Sequence, residues 1–89
     1  MHTDEYEIAL SREVDVCRSK VRKYGDLLAA MEARHGMTTQ AFQERMGRGE
    51  LPANSDLKEW QEGIEGLERW SEKRIEYERL LNVMKISAS

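Results

Sequence analysis

"TTQAFQERMGRGELPANSD", residues 38–56, lies between two long amphipathic segments, and its reading decides the fold. Helices in bundles are commonly joined by about two to eight residues. A longer stretch that holds the only Pro and the only Phe of the chain is expected to carry structure of its own. Thr38 or Thr39 can cap a short helix over 39–47, and Gly47 and Gly49 stand where it can end. Phe42 and Met46 are four residues apart and share a face of that helix, while Met37 and Leu51 add apolar groups on either side. Two uses fit these residues. They fold back to plug the open end of a bundle, or they form a hydrophobic handle or groove for a partner protein.

Upstream, Leu10, Val14, Cys17, Val21, Tyr24, Leu28 and Met31 step by alternating fours and threes, which is a heptad seam. Arg18, Lys20, Arg22 and Lys23 beside it keep the buried stripe narrow. This predicts a helix over about 3–35, with Thr3 as N-cap, Asp4 and Glu5 in the positive first turn, and Gly36 as C-cap. Downstream, a second long helix is predicted over about 55–85. Asp56 and Glu59 form a capping-box-like start just after Pro52. Leu57, Trp60, Ile64 and Leu67 keep the spacing, and Trp70, Tyr77, Leu81 and Met84 continue it after a step that rotates the buried face. Arg74 falls on this seam, with Ile75 and Leu80 to its sides.

The expected fold is therefore all-α, a single domain over 1–89 in which two long antiparallel helices enclose the short one. Setting Leu28 against Trp60 also sets Tyr24 against Ile64, Val21 against Leu67, and Cys17 against Ser71. Gly25 then faces Gly63, with Gly66 one turn beyond. Each glycine costs roughly 0.8–1 kcal/mol relative to Ala in a helix interior. Three at one level point to a close backbone approach, the alternative being glycines merely tolerated at the surface. Trp60, Trp70, Ile75, Tyr77, Leu80 and Leu81 exceed what one narrow stripe can cover. A second copy, completing a four-helix bundle, is expected to take the surplus.

Composition narrows the function. Charged residues make up 35% of the chain, and seventeen acids against fourteen bases leave a net charge of −3. That balance disfavours nucleic-acid binding, which usually shows a basic excess or stripe. The best basic run, RSKVRK at 18–23, spreads around both sides of a helix. A helix-turn-helix over 37–60 has too long a turn, and its second helix starts acidic at Asp56 and Glu59. MGRGE (46–50) lacks the pattern of a phosphate loop. Cys17 occupies a seam position without a Cys-x-x-Cys partner and reads as core. His2 and His35 share no metal spacing, and His35 suits the negative end of its helix. Glu65, Glu68, Glu72 and Glu76 line one face, but no Glu-x-x-His pair accompanies them, so they read as a solvated surface. No enzyme, metal or cofactor is expected. One cysteine, no long apolar run and an acidic start make the cytoplasm the expected location.

Gly36-Met37-Thr38, Phe42-x-x-Arg45, Gly49-Glu50-Leu51 and Asp56-x-x-Glu59-Trp60 resemble the connector of a group of small helical prokaryotic proteins. Some members of that group are regarded as antitoxins paired with a small neighbouring protein. Where members are acidic between the Leu and the Asp, this chain has PANS at 52–55. The resemblance implies a toxin-neutralising partner, with the connector and the acidic side of the second long helix as candidate contacts. Phe42, Met46, Leu51 and Trp60 are then the candidate apolar anchors, with Glu50, Asp56 and Glu59 as polar contacts or caps. The alternative is a homodimeric helical scaffold with no separate partner.

Overall fold

The computed structural model describes residues 5–51 and 54–88, with side chains up to 86. These residues form three helices: α1 (Glu5–His35), α2 (Thr39–Gly47) and α3 (Ser55–Ala88). No strand occurs among them. Helices α1 and α3 pack against each other as an antiparallel hairpin, and α2 crosses its closed end. The expected cap Thr3 and the position of Pro52 lie outside the described residues.

The caps explain where each helix stops. Gly36 has φ +62°, and its N–H donates to the Glu32 carbonyl at 2.9 Å. This is the single-bond left-handed C-cap that glycine adopts without a Cβ penalty. Thr38, not Thr39, caps α2, its Oγ1 accepting from the Ala41 N–H at 3.0 Å. At the other end Gly49 has φ +69° and donates to the Met46 carbonyl at 3.1 Å, while the Glu50 N–H reaches the Arg45 carbonyl at 3.0 Å. Those two bonds are a Schellman motif. Helix α3 starts differently from the sequence expectation. Asn54 is its cap, the side-chain Oδ1 accepting from the Leu57 N–H at 3.0 Å. Asp56 stands inside the first turn and is engaged by α1 instead.

The core sits at the closed end of the hairpin. Met31 of α1, Phe42 of α2, and Leu57 and Trp60 of α3 are buried together, with Leu27, Leu28, Met37, Leu51 and Ile64 packed around them. Along the open half only Leu10, Val14 and Cys17 of the described apolar side chains are buried. The molecule measures 59 × 19 × 17 Å, with a radius of gyration of 17.7 Å. A compact chain of this length would have about 12 Å. It is a rod with one well-filled end.

The register differs from the sequence expectation by two to three residues. Tyr24 lies over Gly66 rather than Ile64, and Leu27 and Leu28 lie over Gly63. The charges that reach the Cys17 thiol across the interface are those of Lys73, Arg74 and Glu78, beyond the expected Ser71. Trp60 is the physical reason. Its ring is occupied by α2, so the helix pair settles where the glycines admit the side chains of Leu27, Leu28 and Tyr24. Two glycines thus serve a close approach. The third does not: a Cβ on Gly25 would meet nothing within 4 Å.

Candidate functional site

Three rings build the base of the closed end. Phe42 stacks on Trp60 with centroids 4.2 Å apart and planes 4° from parallel, and His35 lies against Trp60 at 5.4 Å. The Trp60 Nε1–H donates to Thr39 Oγ1 at 3.1 Å, so the one polar atom of the indole is satisfied. The Glu32 carboxylate accepts from the Thr39 N–H at 2.8 Å, placing a negative charge at the positive end of α2. Helix α2 is therefore tied to both long helices by directional contacts. That makes the connector a rigid platform.

A second set of contacts locks α3 to the end of α1. Arg34 Nη1 lies 3.0 Å from Asp56 Oδ2, and His35 Nε2 lies 3.3 Å from the same oxygen. The His35 contact lacks hydrogen-bond geometry. The hydrogen bond from Arg34 is the main influence holding the Asp56 carboxyl below the usual carboxylate range; partial desolvation opposes it, and charge attraction from Arg34 reinforces it. A carboxyl whose folded-state pKa is lowered contributes stability above its unfolded value and loses it as pH falls through the folded value. The wild type is thus expected to lose an increment of stability below about pH 4. Asp56→Asn should flatten that part of the profile, as read by thermal melts between pH 2 and 7. An unchanged acid limb in the variant would remove Asp56 from this role.

On the opposite side of the closed end lies an open groove of about 660 Å³. Met46 and Leu51 wall it, Leu57 lies beneath, and Lys58, Gln61, Glu62 and Glu65 of α3 line its other side. Met46 is 40% exposed, whereas Phe42, one turn earlier on the same helix, is fully buried. The two residues that share a face by spacing are therefore divided. Phe42 reaches the Trp60 ring, and the last turn of α2 overhangs and leaves Met46 at the groove.

The expected site residues separate accordingly. Met46 and Leu51 line the groove together. Phe42 and Trp60 are both at 0% exposure in the chain's own core, where they support the groove without facing it. Glu50 is exposed and pairs with Arg48 at 2.6 Å. Asp56 is engaged by Arg34 and His35, and Glu59 is exposed on the adjoining face of α3. Lys58, Gln61 and Glu62 were missing from the sequence expectation for this site; Glu65, from the acidic side of the second helix, joins them. Their 3-4-7 spacing on α3 puts them on one face, and that is the signal that finds them. Gln61 Nε2 donates to Glu65 at 3.1 Å.

The other chemically suggestive residues are placed as follows. Cys17 is fully buried, and burial, then the Glu13 charge, push its thiol up, away from the reactive thiolate. Arg18 pairs with Glu78 at 3.0 Å, and Lys20 lies 5.7 Å from the Trp70 ring centre, so part of the basic run is turned to α3. Glu65, Glu68, Glu72 and Glu76 are all exposed. Among the described residues no group of three or more His, Cys, Asp or Glu is arranged to hold a metal ion. No helix among them is long and apolar enough to cross a membrane. No protein-family model matches the chain, and comparison with curated proteins and with solved structures returns no significant match.

Proposed function

We propose that this chain is a non-enzymatic protein-interaction module whose working surface is the groove between α2 and the start of α3. The observation that carries this reading is the exposed Met46 beside Leu51, over an apolar floor with Glu62 and Glu65 on the rim. Methionine adapts its shape to a partner, and a groove of this kind accepts the apolar face of an amphipathic helix. The acidic rim favours a helix with basic flanks, whose encounter it would steer. The resemblance of the connector suggests that the partner is a small neighbour-encoded protein, with this chain as the antitoxin-like member of a cytoplasmic pair.

The test is co-expression with the product of the neighbouring gene, followed by titration of the purified components. Met46→Asp places a charge where the chain itself needs no burial, so the fold should persist. Binding is expected to weaken by about 2 kcal/mol or more, roughly thirtyfold. Glu62→Lys with Glu65→Lys should mainly slow association and reduce its salt dependence. A complex indifferent to Met46→Asp, or the absence of any complex, would overturn the reading. A homodimeric scaffold without a separate partner is the second reading, favoured by apolar residues left exposed on α3 far from the groove.

A further inference from the structure

Each long helix carries a second seam beside the one that joins them. On α1 Val16, Lys20, Lys23 and Leu27 step by four, three and four, and on α3 Lys73, Tyr77, Leu80 and Met84 do the same. At about 100° per residue each set stays within roughly 60° of its helix surface. Lys20 of α1 lies 5.7 Å and Lys73 of α3 4.9 Å from the Trp70 ring centre, so both seams border one side of the hairpin. The opposite side is the one where Arg18 reaches Glu78, beside Asp15, Asn82 and Lys85. Along its middle the shared side is apolar. Val16 is 44% and Leu80 40% exposed, and Trp70, Tyr77 and Met84 are half-buried. Its border is basic, in a chain of net charge −3. Arg12, Lys20, Lys23 and Lys73 stand there, against Glu13 on α1 and Glu76 at the outer limit on α3. None of those four bases is in an ion pair among the described residues.

We propose that this side of the open half docks an acidic amphipathic helix of another protein, laid along the valley between α1 and α3. Two seams at heptad spacing that face one line are the pattern of helices sharing a third. The antiparallel pairing sets Val16, one turn before Lys20, level with the turn of α3 from Lys73 to Tyr77. Apolar residues of the incoming helix rest on Val16, Tyr77 and Leu80. Its carboxylates take the lysine heads, whose stems extend the apolar floor. From Trp70 to Met84 the valley runs roughly 21 Å, enough for about fourteen helical residues. Single-stranded nucleic acid suits it less, because Lys20 and Lys73 already stand over the Trp70 ring where a base would stack. A membrane surface takes apolar groups that project beyond their charged neighbours, whereas Trp70, Tyr77 and Met84 are half-buried. This valley differs from the acid-rimmed groove at the closed end in charge and in place, so neither reading depends on the other.

Titration of the full chain into fluorescently labelled helical peptides tests the proposal. One peptide has Leu at heptad spacing with Glu on both flanks, a second has Lys in place of Glu, and a third keeps Glu but has Ser in place of Leu. The Glu/Leu peptide should bind at least about tenfold more tightly than the Glu/Ser peptide. Val16→Glu with Leu80→Glu alters exposed side chains, so circular dichroism should remain helical while the Glu/Leu peptide loses at least about tenfold in affinity. Lys20→Glu, Lys23→Glu and Lys73→Glu combined in one chain should abolish its binding, and Met46→Asp should leave it unchanged. Any binding of the Lys/Leu peptide should show the reverse, lost with Met46→Asp and kept with Val16→Glu and Leu80→Glu. An oligo-dT strand and vesicles of anionic lipid are the rival ligands. Tighter binding of either one, abolished by the same three lysine substitutions, would overturn the proposal. So would a Glu/Leu peptide that stays unbound up to about 1 mM chain, matches the Glu/Ser peptide, or ignores both sets of substitutions.

Discussion

Trp60→Ala is expected to lower the unfolding free energy by about 3–5 kcal/mol, the cost of truncating a fully buried aromatic. Three losses coincide at this position. The ring leaves a cavity between α2 and α3, Phe42 loses the surface on which it stacks, and Thr39 loses the indole donor. The closed end holds most of the buried apolar groups, and the rest of the rod has little core to compensate. A chain of this size has on the order of 4–13 kcal/mol of stability in total, so the variant should be largely unfolded at moderate temperature. Trp60→Phe keeps a ring but loses the hydrogen bond and some volume. It should cost about 1–2 kcal/mol. Denaturant titration at one fixed protein concentration measures both, since self-association would otherwise enter the apparent stability. A loss below about 1 kcal/mol for Trp60→Ala would mean that the stack is not the core of this fold.

The second large effect is a contrast between three glycines given the same substitution. Ala is favoured over Gly inside a helix by about 0.8–1 kcal/mol. At Gly25 a Cβ meets nothing within 4 Å, so Gly25→Ala should stabilise the chain by about that amount. At Gly63 the nearest atoms are Leu27 Cδ2 at 2.9 Å and Leu28 Cδ2 at 3.2 Å. Both are ends of flexible side chains, and the two effects should nearly cancel. At Gly66 three atoms of the Tyr24 ring lie between 2.6 and 2.9 Å. A rigid ring cannot yield by bending, so the helices must separate or Tyr24 must leave its place. Overpacking of this kind costs about 1–3 kcal/mol. Gly66→Ala should therefore be destabilising despite the gain in helix propensity, and Gly66→Leu more so. Melting temperatures ordered Gly25→Ala, Gly63→Ala, Gly66→Ala from highest to lowest are expected. Gly66→Ala at or above the wild type would contradict the Tyr24–Gly66 register.

Much of the fold was legible in the residues. The four-three spacing from Leu10 to Met31 announces α1, and the Thr38 and Gly49 signals bracket α2. Caps and periodicity are local, acting within one or two turns, so a single sequence carries them. The α3 cap was placed two residues late because Asp56 and Asn54 are both good cap residues. Only the contact of Asp56 with Arg34 and His35 distinguishes them. The candidate site was legible in part. Met46 and Leu51 line the groove, but Phe42 and Trp60 carry the same apolar signature and lie beneath it. Hydrophobicity marks a residue as needing cover; it does not say which surface supplies that cover.

The division between the two sources of information follows from this. By itself the sequence determined that the chain has two long helices and a short capped one, because helix periodicity and capping are short-range properties. Tertiary structure alone decided the register, the exposure of Met46 against the burial of Phe42, and the glycines that matter. Those outcomes depend on how an indole, a phenol ring and two leucines divide one narrow interface. That competition of volumes exists only once the helices are in contact.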